Sequence, residues 1–400
     1  MSSFQPAKAL RSRLPKWGNS LNLRKGLVLF QFSVSIGVIV CTFLMRNQVA
    51  YMRNVDLGFH DDNILVVPVK DSTTIARLPE IRAQLERHPE VTATTTAGHV
   101  PGHSVGMNAV EVETPCGMDD AVVHFMEVGY DYLETMGLEL CKGRNFRADE
   151  VNDSVGAYLV NEAAKRMLFD DKALDKRVGF GLDVEGHRKW EGKVVGVVKD
   201  FNVQSLHYRI EPLIIAPNRR KEGLLHIRLS GNNTVETRAA IEKMWKPNEA
   251  NGSPFNAFFI DDKLNELYDE DQRLGKLIGA LAYICVIISM LGLLGFASYS
   301  IEQRRREIGI RKVLGASWGQ LMLVLLRDIL ILILGASMLG SVAAYLVMQA
   351  WLGDYAYRAP IPVWTFFIAG LVSLAVALVT VSYHSIRATL ANPVRALQYE

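Results

Sequence analysis

The stretch with the most distinctive side-chain chemistry is IEQRRREIGIRKVLGASWGQ, residues 301–320. Arg304, Arg305 and Arg306 can meet anionic lipid headgroups, the ordinary role of bases beside a membrane exit. Lipid does not account for residues 307–316. Ile308, Ile310, Val313 and Leu314 are apolar, Glu307, Arg311 and Lys312 are charged, and Gly315-Ala316 closes the run. That pattern predicts a short amphipathic helix with a glycine stop, lying along a membrane surface. Its chemistry is binding chemistry: charged side chains orient on a partner while apolar ones bury. A short rigid bar of this kind suits force transfer.

Catalytic chemistry finds little support elsewhere. The nine histidines are scattered, none at metal-ligand spacing, and His99 and His103 straddle a VPG turn and cannot share a helix face. No two of the four cysteines have CxxC spacing, so neither a zinc site nor a redox motif is signalled. No GxxxxGK[ST] occurs, so no nucleotide engine, cofactor or metal is expected in this polypeptide. The lone acid of VKDFN (198–202) reads as solvated turn chemistry. A net charge of +2, with no basic stripe interleaved with aromatics, argues against a nucleic-acid partner.

The elements that must position residues 301–320 are apolar blocks. Leu27–Leu44, Leu277–Ser300, Ile329–Met348 and Val363–Val381 carry no charge. Each has about 18 residues or more, enough to cross a hydrocarbon core of about 30 Å. Four such blocks in one chain predict four membrane helices, because a charge at mid-bilayer costs at least ~2.5 kcal/mol. The first block is too long for a signal-peptide core and lacks an A-x-A site after it, so it reads as a retained helix. Thirteen bases flank one side of the spans: Lys8, Arg11, Arg13, Lys16, Arg24, Lys25, Arg304, Arg305, Arg306, Arg311, Lys312, Arg387 and Arg395. Only Arg46, Arg53, Arg273, Lys276 and Arg358 flank the other. The bias predicts cytoplasmic termini, a cytoplasmic 301–320 loop and a large outer domain.

The expected order is a basic linker over 1–25, spans over 26–45, 274–300, 321–348 and 363–383, an outer domain over 46–273, an inner loop over 301–320, a short outer loop over 349–362 and an inner tail over 384–400. Small residues spaced by four, Gly275 with Gly279 and Ala336 with Gly340, predict close helix packing. The outer segment mixes strand and helix patterns. NILVVPV (63–69), AVEVET, AVVHFMEV, GKVVGVVKDF (192–201) and LLHIRLSG (224–231) read as strands. Residues 73–89 and 233–248 read as helices, and GAYLVNEAAKRMLF (156–169) as a strand feeding a helix. The mixture implies an α+β domain in two lobes. Cys116 and Cys141 both lie in it, and their spacing leaves a disulfide open.

RRREIGIRKVLGAS resembles the cytoplasmic motif of the MacB/FtsX permeases, the type VII ABC transporters. GYDYLETMGLELCKGRNF (129–146), YLVNEAAKRM (158–167), VVGVVKDF (194–201) and the terminal NPVRAL resemble further parts of that family. The resemblance implies a MacB-like periplasmic core domain between helices 1 and 2 and an FtsX-like permease domain over 274–393, in the inner membrane. It implies a dimer gripped by cytoplasmic ABC ATPase subunits, with Glu307, Ile308, Gly309, Arg311, Lys312, Val313, Gly315 and Ala316 forming the ATPase-coupling motif. Helices 1 and 2 would relay the motion outward, to export a substrate or to act on a periplasmic partner.

The two ends of the chain repeat a phrase: QPAKAL (5–10) against NPVRAL (392–397). With NLRKGLVLFQF after it, this resembles the linker of bacteroidete-like eight-helix permeases made of two fused modules. Residues 1–25 are then expected to be a former inter-module linker, leaving the second permease subunit as either another copy or a separately encoded first half. Two rival readings stand beside the permease. A membrane sensor with an outer ligand domain would need a larger inner output domain than these loops offer. A membrane-anchored enzyme would need a nucleophile–base pair.

Overall fold

The structure, a computed structural model, describes residues 18–60, 62–69, 71–102, 105–147, 156–182, 188–218, 223–249, 254–303, 307, 310–311, 314 and 318–390. The chain divides into two compact units.

One unit is helical. Its helices are α1 (Gly18–Asn54), then, after the inserted domain, α7 (Asp269–Gln303), α8 (Trp318–Leu352) and α9 (Trp364–Leu390). All four are long and apolar enough to cross a membrane. No proline interrupts them, and each holds an uncharged apolar stretch, so the backbone is satisfied within the helix wherever lipid could surround it. Val28, Phe32, Ile36, Val40 and Leu44 recur every four residues along α1 and bury one stripe of it. Leu293 and Phe296 of α7, Ile329, Ile333 and Ala336 of α8, and Ala369, Ala377 and Val381 of α9 complete that core.

The other unit is α+β. Its elements are β1 (Ile64–Val69), α2 (Ser72–Leu85), β2 (Val91–Ala97), β3 (Met107–Thr114), β4 (Gly117–Val128), α3 (Tyr132–Met136), β5 (Leu140–Gly143), β6 (Ala157–Asn161), α4 (Glu162–Leu168), β7 (Arg177–Leu182), β8 (Arg188–Val198), β9 (Leu213–Pro217), β10 (Gly223–Leu229), α5 (Thr234–Glu249), β11 (Phe258–Phe259) and α6 (Ile260–Leu267). The strand pairings give two lobes. In the first, the strands run β11-β1-β10-β2, all antiparallel. Leu65, Val67, Leu225 and Ile227 face α2 and α5, where Ile81, Leu85, Ile241 and Trp245 cover them. β1 is buried on both faces, which is why its sequence is an unbroken apolar run rather than an alternation.

The second lobe closes on itself. β4 pairs with β3, β3 with β7, β7 with β8, β8 with β6, β6 with β9, and β9 returns parallel to β4. The result is a six-stranded barrel. Alternate residues fill it: Val110 and Val112, Val123 and Phe125, Tyr158 and Val160, Val178, Val194, and Ile214 with Ala216. Residues of opposite parity, such as Met126, Val128, Leu159, Leu213 and Ile215, pack outward into a third core shared with Tyr132, Leu133, Met136, Ile260 and Leu264. On the rim, Glu113 accepts hydrogen bonds from the Arg177 amide and the Lys176 ammonium, which together hold its carboxyl down to about 2.

Cys116 sits in the turn between β3 and β4, and Cys141 on β5, which is hydrogen-bonded to β8. Both thiols are exposed and free, so the bridge left open by spacing is not formed. Strands β7 and β8 intervene between β3 and β5. At about 4.8 Å per strand the separation exceeds the reach of a disulfide.

His226 on β10 is fully buried, register-paired with Val66 and Thr95, and its ring meets Tyr132 edge-on at 6.2 Å. Burial lowers its pKa from 6.5 to about 4. The unfolded chain therefore binds a proton that the folded domain rejects. The neutral ring's contribution is full above pH 6.5 and is lost as the pH falls towards 4. The loss amounts to at most about 3 kcal/mol. A His226→Leu protein is expected to show a flatter pH dependence of its guanidinium midpoint across that window than the parent. Parallel slopes for the two proteins would refute the assignment.

Candidate functional site

Helices α7 and α8 bracket the 301–320 segment, with α7 ending at Gln303 and α8 starting at Trp318. Within it Glu307, Ile310 and Arg311 are helical, and Leu314 donates its amide to the Ile310 carbonyl at 3.0 Å, the i→i−4 bond of an α-turn. Glu307 Oε1 and an Arg311 guanidinium nitrogen pair at 2.6 Å, with both side chains nearly half exposed. This i,i+4 pair contributes about 0.3–0.5 kcal/mol to the helix, so it orients the two side chains more than it stabilises them. Ile310 is 63% exposed and Leu314 80%. Two apolar side chains one turn apart therefore stand open beside an oriented ion pair. Ile308, Gly309, Lys312, Val313, Gly315, Ala316 and the bases Arg304–Arg306 lie outside the described residues, as do 1–17, His103 and NPVRAL (392–397).

The small residues singled out on the helices have different surroundings. Nothing lies within 4 Å of a Cβ built on Gly275. One on Gly279 would touch Thr42 Cγ2 of α1 at 3.5 Å. Ala336 is completely buried. A Cβ on Gly340 would collide with the Ser33 carbonyl oxygen of α1, and one built on Gly37 of α1 would in turn lie 3.5 Å from the Gly340 carbonyl oxygen. At this crossing of α1 and α8 the two backbones are in contact.

A second contact between α1 and α7 escaped sequence reasoning. Gly292 of α7 lies against the Gln31 side chain of α1, and Ser289 Oγ donates to the Gln31 carbonyl at 3.2 Å. The signal was present: a glutamine within an apolar span is expensive in lipid and turns towards a neighbouring helix. Arg24 of α1 lies over the Tyr299 ring of α7 at 4.0 Å, a cation–π contact that fixes the same two helices.

Among the described residues no group of His, Cys, Asp and Glu could hold a metal ion. The acid of VKDFN is not a solvated turn residue. Asp200 accepts from the Ala163 amide and from Arg166, both at 2.8 Å, while Phe201 and Asn202 are buried.

A family model described as FtsX-like permease C-terminal matches residues 279–393. Over 309 residues the chain is 24% identical to the uncharacterized ABC transporter permease YvrN of Bacillus subtilis (strain 168), covering 70% of this chain and 73% of that protein. It is 24% identical over 199 residues to the macrolide export ATP-binding/permease protein MacB of Mannheimia succiniciproducens, covering 47% of this chain and 30% of that protein. The chain thus spans less than a third of that MacB. The crystal structure of the periplasmic region of MacB from Actinobacillus actinomycetemcomitans covers 52% of this chain and 94% of its own, at 16% identity and a TM-score of 0.38. An FtsX-like region thus runs from within α7 past the end of α9, and over 70% of its length the chain is similar to an ABC transporter permease.

Proposed function

We infer that this chain is an ABC transporter permease of the MacB/FtsX type and that it passes the ATP-driven motion of a separate ATPase to the domain between α1 and α7. The observation that carries this reading is the exposed pair Ile310 and Leu314 beside the Glu307–Arg311 ion pair, between two membrane helices. An apolar edge with an oriented charge is what a protein groove recognises. In this reading residues 301–320 and both termini face the cytoplasm, as the distribution of bases favours. The α+β domain is periplasmic, the membrane is the inner one, and the permease works as a dimer with a second permease subunit. Movement reaches a periplasmic client or an exported substrate through α1 and α7. MacB relatives are ATP-binding/permease proteins in one chain, which supports an ATPase partner for a chain matching the permease region. Gly275, Gly279, Ala336 and Gly340 would set the helix packing that carries the motion.

The test is accessibility. A Leu314→Cys protein, with its four native cysteines replaced by serine, should resist an impermeant maleimide in intact cells. It should react after permeabilisation, and bound ATPase should then protect it. Labelling of intact cells would place the segment on the wrong face and end the reading.

A further inference from the structure

Between β8 and β9 the chain runs through Lys199–Tyr208 without regular structure, and this piece gathers every approach of the chain to the α+β unit. At its start it is anchored to that unit's own framework. Lys199 donates its amide to the Glu139 carbonyl and pairs through Nζ with the Glu139 carboxylate at 2.8 Å. Asp200 takes the Ala163 amide at the start of α4 and the Arg166 guanidinium. These bonds fix the segment to the barrel.

The next residues grip the chain arriving from α1. Asn202 donates its amide to the Leu57 carbonyl at 2.8 Å, and Phe59 meets Phe201 edge-on at 6.5 Å. Gly58 has φ +82°, and a Cβ there would lie 2.9 Å from Phe201 Cβ and 3.0 Å from the Asp200 carbonyl oxygen. Only glycine adopts that conformation this close to another backbone without strain. Further on, the segment grips the chain departing into α7: the Leu206 amide points to the Tyr268 hydroxyl at 3.4 Å, and the His207 ring stacks on Tyr268 at 6.4 Å. Tyr355–Tyr357, between α8 and α9, belong to this unit as well. There the Tyr355 ring also packs on His207, at 4.4 Å, and the Ala356 amide donates to the His207 carbonyl at 3.1 Å. Ser205 Oγ holds the imidazole through Nδ1 at 2.7 Å.

We propose that Lys199–Tyr208 is the junction at which displacement of the membrane helices is converted into movement of the barrel, with His207 as its positioning residue between the chain entering α7 and the α8–α9 connection. The proposal deepens the coupling reading and rests on it. A segment bonded to the barrel at one end and to three separate approaches along the rest moves with all of them or resists all of them. Position alone does not make a relay, so the test asks whether both ends bias the same element.

The experiment uses the full chain bound to its ATPase, with hydrogen exchange of the β6, β8 and β9 amides monitored with and without ATP. Parent protein and the His207→Ala, His207→Phe and Tyr355→Ala proteins are compared. In the parent, ATP is expected to change protection in the barrel. His207→Ala and Tyr355→Ala should keep parental ATPase stimulation and parental protection without nucleotide, yet lose the ATP-dependent change several-fold. His207→Phe, which keeps a flat ring against both tyrosines, should restore it. An ATP-dependent change that persists at parental size in both alanine proteins overturns the junction while leaving the coupling reading intact. A parent protein whose barrel ignores ATP overturns the coupling reading and the junction with it.

Discussion

A Gly340→Val protein is expected to be severely destabilised in the membrane, with a lower denaturation midpoint in detergent and poor accumulation. The reason is local. Gly340 of α8 lies against the Ser33 carbonyl of α1, so the first added carbon collides with backbone. A flexible side chain could rotate away, whereas a carbonyl within a helix moves only if the helix moves. Separating α1 from α8 would also open the contact of Gly37 with the Gly340 carbonyl and loosen Ile36 and Ala336, both with no exposed surface. Overpacking of a tight core costs about 1–3 kcal/mol, and a forced helix separation adds lost dispersion contacts to that. Gly295→Val is the control, because nothing lies within 4 Å of a Cβ there and the same substitution should be nearly neutral. Equal midpoints for the two variants would show that α1 and α8 do not cross at Gly340.

The comparison of Gly275 with Gly340 also shows where sequence reading stops. Both sit in the same small-xxx-small spacing, yet one faces open space and the other a neighbouring backbone. Spacing reports which residues share a helix face and says nothing of what the face meets. The α+β domain behaves alike. NILVVPV was legible as β1, AVEVET and AVVHFMEV as the β3–β4 hairpin, and residues 233–248 as α5, because period and β-branching are local properties. Closure of the barrel was not legible. The parallel pairing of β4 with β9 joins segments about ninety residues apart, and alternation fixes a strand's faces without naming its neighbours. VKDFN was misread for a related reason. It has no periodicity, and its importance lies wholly in partners distant in sequence, namely Ala163, Arg166 and Leu57. The 301–320 segment was the converse case: its amphipathic pattern was plain in the sequence, and the structure adds that Ile310 and Leu314 stand uncovered.

Those two side chains carry the largest functional effect expected of this molecule. Ile310→Asp with Leu314→Asp should leave the protein folded, because both residues are more than half exposed and neither belongs to the helical core formed by the described residues. Binding of the ATPase should collapse. Full burial of an Ile or Leu side chain against a partner is worth about 1.5–3 kcal/mol, and an unpaired carboxylate in its place adds a desolvation cost. Because about 1.4 kcal/mol is a factor of ten, the double substitution should weaken association by at least about a hundredfold and abolish stimulation of hydrolysis with it. Glu307→Gln and Glu307→Lys separate the two parts of the surface. The ion pair itself is worth too little to matter to the fold, so Glu307→Gln should be mild. Glu307→Lys places like charge beside Arg311 and should reduce stimulation only if the ATPase reads charge at this edge. A segment that merely rests on lipid predicts a different pattern. The aspartates would then loosen its membrane contact while ATPase affinity, measured by titration in detergent micelles, stayed at the parental value. That result would remove residues 301–320 from the coupling mechanism.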